Sequence, residues 1–231
     1  MKIKVKNIAL CIIFNFIWIF SIGQNTSFSL GSQIPLKYDI GFEYKIIPKI
    51  SSNLNFGILS KPFDKAILGI IHAFGLEEGY IQMIENSFKL GLVTDLGVRF
   101  QFKKNYIGIF GQNIFMFAQD TPNELVESFL NIDLNNFKKT KIGSKIDLEV
   151  KLQSNLFQFG LLYGRRFELK NPKHEIRTEF FLSANIFSNS KFFIEDRKNE
   201  ELTQLINKEL KPIYKDYTYI PTINVYYVFK F

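Results

Sequence analysis

The chain has 231 residues and a formal net charge of +7, with lysine and arginine spread along the sequence instead of gathered in blocks. This spread excludes the charge footprint of a nucleic-acid-binding protein, and a single cysteine, Cys11, excludes a disulfide framework or a thiolate metal site. Phenylalanine is unusually frequent, with 26 residues beside 10 tyrosines. A transmembrane barrel can place so many rings against lipid and in two interfacial girdles.

The first residues have the pattern of a secretory signal. Lysines precede a mostly apolar run over residues 8–22, and Ser21 and Gly23 are small enough for a cleavage site. We therefore predict a signal peptide over residues 1–23 and a mature domain over residues 24–231. No later segment is apolar over the roughly 20 residues that a membrane-spanning helix needs.

Strand patterns begin directly after the predicted signal. Residues 36–46 alternate strictly between apolar side chains and charged or small ones, the pattern of a strand with two different environments. A turn over 48–52 leads to a strand over 53–58, and a short strand over 26–32 opens the sheet. The strand over 36–46 has the roughly 9 to 11 residues that cross a bilayer.

The middle of the chain contains one hairpin-like pair of strands and one long strand. Residues 90–102 alternate clearly, a turn follows at 103–105, and residues 106–117 are apolar on both faces, so the phase of that strand stays open. Residues 146–167 form one long strand if a bulge absorbs the change of apolar phase between Gln153 and Leu156. If a hairpin turn lies there instead, the barrel has ten strands.

The end of the sequence supplies the clearest alternation. A strand over 176–182 follows a short turn at 170–173, and the terminal strand over 220–231 places apolar residues at every second position. Its final aromatic residues form the signal that we expect the barrel assembly machinery to recognise: Tyr227, Phe229 and Phe231.

The lengths of the connections predict the topology. Three long insertions, at 61–87, 118–143 and 188–217, alternate with the short turns, as they do in small barrels with short periplasmic turns and longer outer loops. The sequence therefore predicts an all-β fold, a transmembrane antiparallel β-barrel of eight strands in the outer membrane.

Each long outer loop carries a helical pattern. The segment 65–74 is one, a capping box at Thr121 to Glu124 starts a second over about 122–130, and an apolar stripe from Leu202 to Leu210, ended by Pro212, forms a third. The helices either form a cap that recognises an extracellular ligand or protein, or pack on the rim or the membrane surface. Short amphipathic helices favour the second interpretation.

Charged residues also occur on the face predicted to point inward. An eight-stranded barrel is narrow enough to be filled by its own side chains, so these charges are expected to neutralise one another. The alternative is a narrow ion or proton path. The predicted interior charge network consists of Glu43, Asp95, Arg99, Arg177 and Glu179.

Residues suited to catalysis are few. His72 falls in the first outer loop and His174 in a periplasmic turn, so they cannot share a site. Only His72 could serve a lipid-modifying enzyme, and it has no clear serine partner. No metal-ligand spacing and no glycine-rich phosphate loop is present. We therefore predict no enzymatic activity, no cofactor and no metal, and we expect Arg165 and Arg166 to anchor the rim at outer-membrane lipid.

Several segments resemble known sequences: GFEYK at 41–45, LLYGRRF at 161–167, NPKHEIRTE at 171–179 and YYVFKF at the end. They are similar to uncharacterised outer-membrane β-barrel proteins of Gram-negative bacteria. The resemblance implies a barrel of unassigned role and supplies no catalytic residues. A structural or surface-binding role carried by the outer loops is the leading hypothesis, a small-solute or ion pore is the second, and a lipid-modifying enzyme is the third.

Overall fold

The computed structural model describes residues 25–60, 62–73, 88–119, 127, 150–194, 197–217 and 221–231. The predicted signal peptide lies outside the described residues. So does the helix predicted at about 122–130, apart from Glu127.

Nine strands and two helices make up the described residues. The strands are β1 (Thr26–Ile34), β2 (Lys37–Ile47), β3 (Ile50–Leu59), β4 (Phe88–Phe102), β5 (Asn105–Gln119), β6 (Val150–Glu168), β7 (His174–Ile194), the two-residue β8 (Arg197–Lys198) and β9 (Thr222–Lys230). The helices are α1 (Phe63–Ala73) and α2 (Glu200–Tyr217).

Eight of these strands close into a ring. Each pairs antiparallel with its neighbours in the order β1 to β7, then β9, and β9 pairs with β1 to complete the circle. The short β8 only extends the free edge of β7. The predicted eight-stranded antiparallel barrel is therefore confirmed.

The two faces of the wall differ sharply in chemistry. On β2, Tyr38, Ile40 and Phe42 point outward and are about half exposed, whereas Lys37 and Asp39 point inward and are buried. The same alternation continues around the ring, because successive strand residues point to opposite faces. The outer wall is consequently apolar and the lining largely polar.

One end of the ring carries short turns and the other carries long connections. Residues 48–49, 103–104 and 169–173 form the short turns at one end. The connections after β3, β5 and β7 leave from the opposite end, which also carries the two-residue turn 35–36 between β1 and β2. The turn predicted at 48–52 is thus shorter than expected. Residues such as Ser51 resemble turn residues in sequence, but their polar side chains line the interior of β3.

Strand β7 contains the largest departure from prediction. The insertion predicted at 188–217 is wrong over its first residues, since β7 continues to Ile194. The pairing with β6 slips at a bulge, where Phe157 pairs with Phe187 and Gln158 with Asn185, so that Ile186 is the extra residue. A bulge reverses which residues point inward and outward, so the alternation of apolar and polar residues along β7 is interrupted. The sequence pattern therefore does not predict the second half of the strand.

Strand β6 is one long strand, as predicted, but it does not change phase. Its inward positions stay even-numbered throughout, and the bulge lies on β7 instead. The apparent phase change arises because Val150 and Leu152 are apolar residues on the inner face, where they pack against α2.

Both described helices occur where the sequence predicted helices. Helix α2 does not end at Pro212, however, and continues through it to Tyr217. Proline removes one backbone hydrogen bond, but Ile213 and Tyr214, directly after it, pack against the apolar cluster that holds α2. Among the described residues, neither helix combines the length and apolar character that crossing a bilayer requires.

Candidate functional site

Two clusters of charged side chains fill the described interior. The arginine cluster, in the half near the short turns, is centred on Glu43. Arg99 Nη1 lies 2.7 Å from Glu43 Oε2, and Arg177 contacts the same carboxylate. Arg99 also reaches Glu179 at 2.7 Å, and Arg177 pairs with Glu175. All five side chains are at most 5 % exposed, so the pairs are shielded from water.

The lysine cluster lies nearer the end of the ring that carries the long connections. Lys37 Nζ contacts Asp95 and lies 3.0 Å from Asp39 Oδ2. Gln112 Nε2 donates to Asp95 Oδ1 at 2.7 Å and to Gln33 Oε1 at 3.0 Å. Because Lys37 has no exposed surface, its charge depends on these two carboxylates for stabilisation.

Two tyrosines and one asparagine join the clusters. Tyr106 donates to Glu179 Oε1 at 2.6 Å, and Tyr226 donates to Asp39 Oδ2 at 3.1 Å. Asn224 Nδ2 donates to Glu179 Oε2 at 3.2 Å and to Tyr226 Oη at 2.9 Å. The interior is therefore one connected polar network that crosses from β2 to β7.

The sequence identified part of this network. The structure brings Glu43, Arg99, Arg177 and Glu179 together in the arginine cluster and places Asp95 in the lysine cluster. Sequence reasoning missed Lys37, Asp39 and Glu175. The available signal was their position, because Lys37 and Asp39 alternate on the same face as Glu43, and Glu175 on the same face as Arg177.

An apolar layer covers the polar network on the side of the long connections. Leu59, Val93, Ile114 and Leu156 point inward from four different strands, and Phe63 at the start of α1 packs among them. Tyr214 of α2 packs against the same layer. Both helices therefore contribute to the closure at this end. A second buried apolar cluster, of Tyr106, Phe110, Leu162 and Phe181, lies beside the arginine cluster, so the charged network shares the lower interior with packed rings.

Helix α2 is held on the extended part of β6 and β7. Its residues Leu202, Ile206 and Leu210 are buried against Val150 and Phe192. The five residues form a compact apolar cluster, which we call the helix seat.

Polar side chains of α2 also bind the edge of β7 beyond its pairing with β9. Asn207 Oδ1 accepts from the Ser190 backbone N–H at 2.8 Å, and Asn207 Nδ2 donates to the Ser190 carbonyl at 2.6 Å. Thr203 Oγ1 accepts from the Phe192 N–H at 3.1 Å. These bonds satisfy backbone groups that would otherwise be left as an open sheet edge.

The two histidines lie at opposite ends of the ring. His72 is exposed in the last turn of α1, and His174 begins β7 at the short-turn end, where its ring contacts Tyr227 and Phe229. Within the described ranges, no group of three or more histidine, aspartate, glutamate or cysteine residues has the geometry of a metal site.

The terminal aromatic residues occupy the outer wall at the same end. Tyr227 and Phe231 are about half exposed, and Phe229 packs edge-on against Phe231 with ring centroids 5.2 Å apart. These positions are compatible with contact at a membrane interface. Recognition by the assembly machinery stays a prediction.

Together these features define the class of protein. The ring is closed, so no sheet edge is left along the paired wall; the wall is apolar outside, and the charges are enclosed inside. The chain has the fold of an outer-membrane β-barrel protein, and its described residues include two helices at the end that carries the long connections.

No protein-family model and no curated protein matches the chain. It is similar in structure to the N-terminal β-barrel domain of Pseudomonas aeruginosa OprF (8 % identity, TM-score 0.38, covering 90 % of this chain and 99 % of that one). It is also similar to a major outer membrane protein from Thermus thermophilus (10 % identity, TM-score 0.47, covering 89 % of this chain and 99 % of that one). A third similar structure is Acinetobacter baumannii CarO (10 % identity, TM-score 0.38, covering 91 % of this chain and 99 % of that one). At these identities the likeness concerns the fold alone.

Proposed function

We propose that this protein is a non-enzymatic outer-membrane scaffold with a closed lumen, and that its outer helices carry its binding function. The observation that supports the proposal is the pair of successive barriers in the interior: the charged network, and above it the apolar layer. An open pore would require both to move aside.

The charged network resists the passage of an ion. Arg99 and Arg177 share the carboxylate of Glu43, and each also contacts a second carboxylate. Separating one partner from a buried pair costs about 3–5 kcal/mol, because an uncompensated charge remains in a medium of low dielectric constant. An ion passing this level would have to disrupt several such pairs at once.

The apolar layer resists the passage of water. Leu59, Val93, Ile114 and Leu156 are at most 5 % exposed and come from the four neighbouring strands β3 to β6, on one side of the ring. A hydrophobic constriction of this kind closes a pore by excluding water. Phe63 and Tyr214 connect the layer to α1 and α2, so the closure is continuous with the outer elements.

The firm attachment of α2 supports a display function. Its buried face occupies the helix seat, while Gln204, Lys208 and Lys211 are exposed. Binding residues are often carried by connecting segments on a rigid scaffold. The exposed face of α2 is thus the proposed surface for an extracellular ligand or protein.

A pore is the second candidate, and one observation favours it. Both polar atoms of the Asn53 side chain, and the Nδ2 of Asn55, are buried without a hydrogen-bond partner among the described residues. These two residues line the interior from β3, where water molecules would satisfy them. A continuous file of water through the barrel would make the protein a narrow channel.

Conductance in a planar bilayer separates the two candidates. We expect the purified full-length protein to give no steady single-channel openings under conditions in which a general porin conducts. Steady openings whose conductance changes in the Asp95→Asn variant would contradict the closed lumen, since Asp95 then lines a conducting path.

A further inference from the structure

A pocket of about 430 Å³ lies at the rim that carries the short turns, far from the two helices. The predicted topology places this rim at the periplasmic side. The pocket opens between the turn that joins β2 to β3 and the turn that joins β4 to β5. Six residues that line it carry the argument: Lys49, Phe100, Gln101, Phe102, Lys103 and Arg166. Three are cations, and none is an acid.

The floor of the pocket is held in place by hydrogen bonds. Arg166 Nη1 donates to Gln101 Oε1 at 3.0 Å, and Nη2 donates to the Lys103 carbonyl at 2.5 Å. The Gln101 backbone N–H donates to the Lys49 carbonyl at 2.7 Å, which ties the first turn to the end of β4. The Arg166 Nε is buried and lacks a hydrogen-bond partner in the described part of the chain.

Lys103 has an unusual backbone conformation. Its φ of 55° lies in the left-handed region, where glycine or asparagine would be less strained. The chain therefore places a long cationic side chain at a position where backbone geometry favours a smaller residue. Such departures from local preference tend to occur at functional positions.

The whole periplasmic end carries positive charge. Its three turns hold two lysines each, in or close to the turn: Lys45 with Lys49, Lys103 with Lys104, and Lys170 with Lys173. Among the described residues of this rim, Glu168 is the exposed carboxylate, whereas Glu43 and Glu175 are buried in ion pairs. An anion approaching the rim is consequently attracted.

The pocket also borders the lipid-facing wall. Phe100 and Phe102 point outward and are 45 % and 39 % exposed, so their rings meet acyl chains beside the cations. Cations at the level of the headgroups, with aromatic rings just inside the membrane, match the two parts of a phospholipid.

We propose that this pocket binds the headgroup phosphate of an anionic phospholipid of the inner leaflet, with the acyl chains lying along Phe100 and Phe102. Lys49 and Lys103 neutralise the phosphate, and Arg166 positions the Lys103 carbonyl and with it the turn. The site lies at the opposite end from the proposed binding surface on α2. The proposal of a lipid site therefore does not depend on whether the lumen is closed.

Native mass spectrometry of the full-length protein in a neutral detergent tests the site. The probes are POPG, POPC with the same acyl chains, and inorganic phosphate. We expect one POPG to bind at concentrations at which POPC does not. Binding should weaken by roughly tenfold or more in Lys49→Gln/Lys103→Gln, because each lysine near an anionic headgroup contributes to attraction.

The matched control is Lys208→Gln/Lys211→Gln on α2, which removes the same charge from the opposite end and should leave POPG binding unchanged. Equal binding of POPG and POPC would overturn the proposal, and so would an equal loss in the control variant. Phosphate that binds through Lys49 and Lys103 without any preference for POPG would assign a free-anion site and overturn the lipid assignment.

Discussion

Replacing Arg177 by methionine should destabilise the barrel by about 3–5 kcal/mol. Arg177 pairs with Glu43 and Glu175, and all three side chains are at most 5 % exposed. Methionine fills much of the volume but leaves Glu175 and Glu43 with less compensating charge in the interior. Denaturant unfolding in detergent micelles, followed by circular dichroism and by heat-dependent gel mobility, measures the change.

The control for this prediction is Arg165→Met, one strand away. Arg165 is exposed and lies over the Phe167 ring at 5.5 Å, a contact worth about 0.5–1 kcal/mol. Adding Glu175→Gln to Arg177→Met should recover part of the loss, because it removes a buried carboxylate whose remaining cationic partner is the partly exposed Lys230. Equal losses for Arg177→Met and Arg165→Met would contradict the view that the interior is a tightly paired network.

A carboxylate in the helix seat should detach α2 while the barrel stays closed. Ile206 is 1 % exposed among Val150, Phe192, Leu202 and Leu210, so Ile206→Asp would bury an unpaired charge at a cost of about 3 kcal/mol or more. We therefore expect the helix to detach from the barrel, because detachment exposes the carboxylate to water and avoids the free-energy cost of burying it. Trypsin should cut within α2 roughly a hundred times faster, since cleavage follows the population of the open form.

Gln204→Asp provides the matched control, because it adds the same charge to the exposed face of the same helix. We expect its cleavage rate to stay near that of the unmodified protein. Heat-dependent gel mobility should be retained in both variants. If Ile206→Asp unfolded the whole barrel, α2 would be part of the folding core and not an element docked on it.

Alternation predicted the fold wherever the two faces of a strand differ in polarity. On β2 the outward Tyr38 and Phe42 contrast with the inward Asp39 and Glu43, and both the span and the orientation of that strand could be predicted. The inward charges could be identified for the same reason. Their pairing could not, because it depends on which strands lie across the lumen.

Prediction from alternation failed where the interior side chains are apolar, and where a bulge shifts the pairing register of two strands. On β5 the inward Tyr106, Phe110 and Ile114 match the outward residues in character, because they pack in apolar clusters. On β7 the bulge at Ile186 reverses the faces, so the alternation pattern predicts a loop from residue 188 where the strand continues to Ile194. Both features depend on tertiary packing, which local periodicity does not record.

Cysteine accessibility along β3 tests the central claim most directly. Cys11 is the only native cysteine, so single cysteines can be placed at the inward Asn53 and Asn55 and at the outward Leu54 and Phe56, in protein reconstituted in lipid vesicles. We expect the inward cysteines to resist a charged, water-soluble thiol reagent from both sides, and the outward ones to react only with a lipid-soluble maleimide. Rapid labelling of the inward cysteines by the charged reagent would show a water-filled lumen and contradict this account.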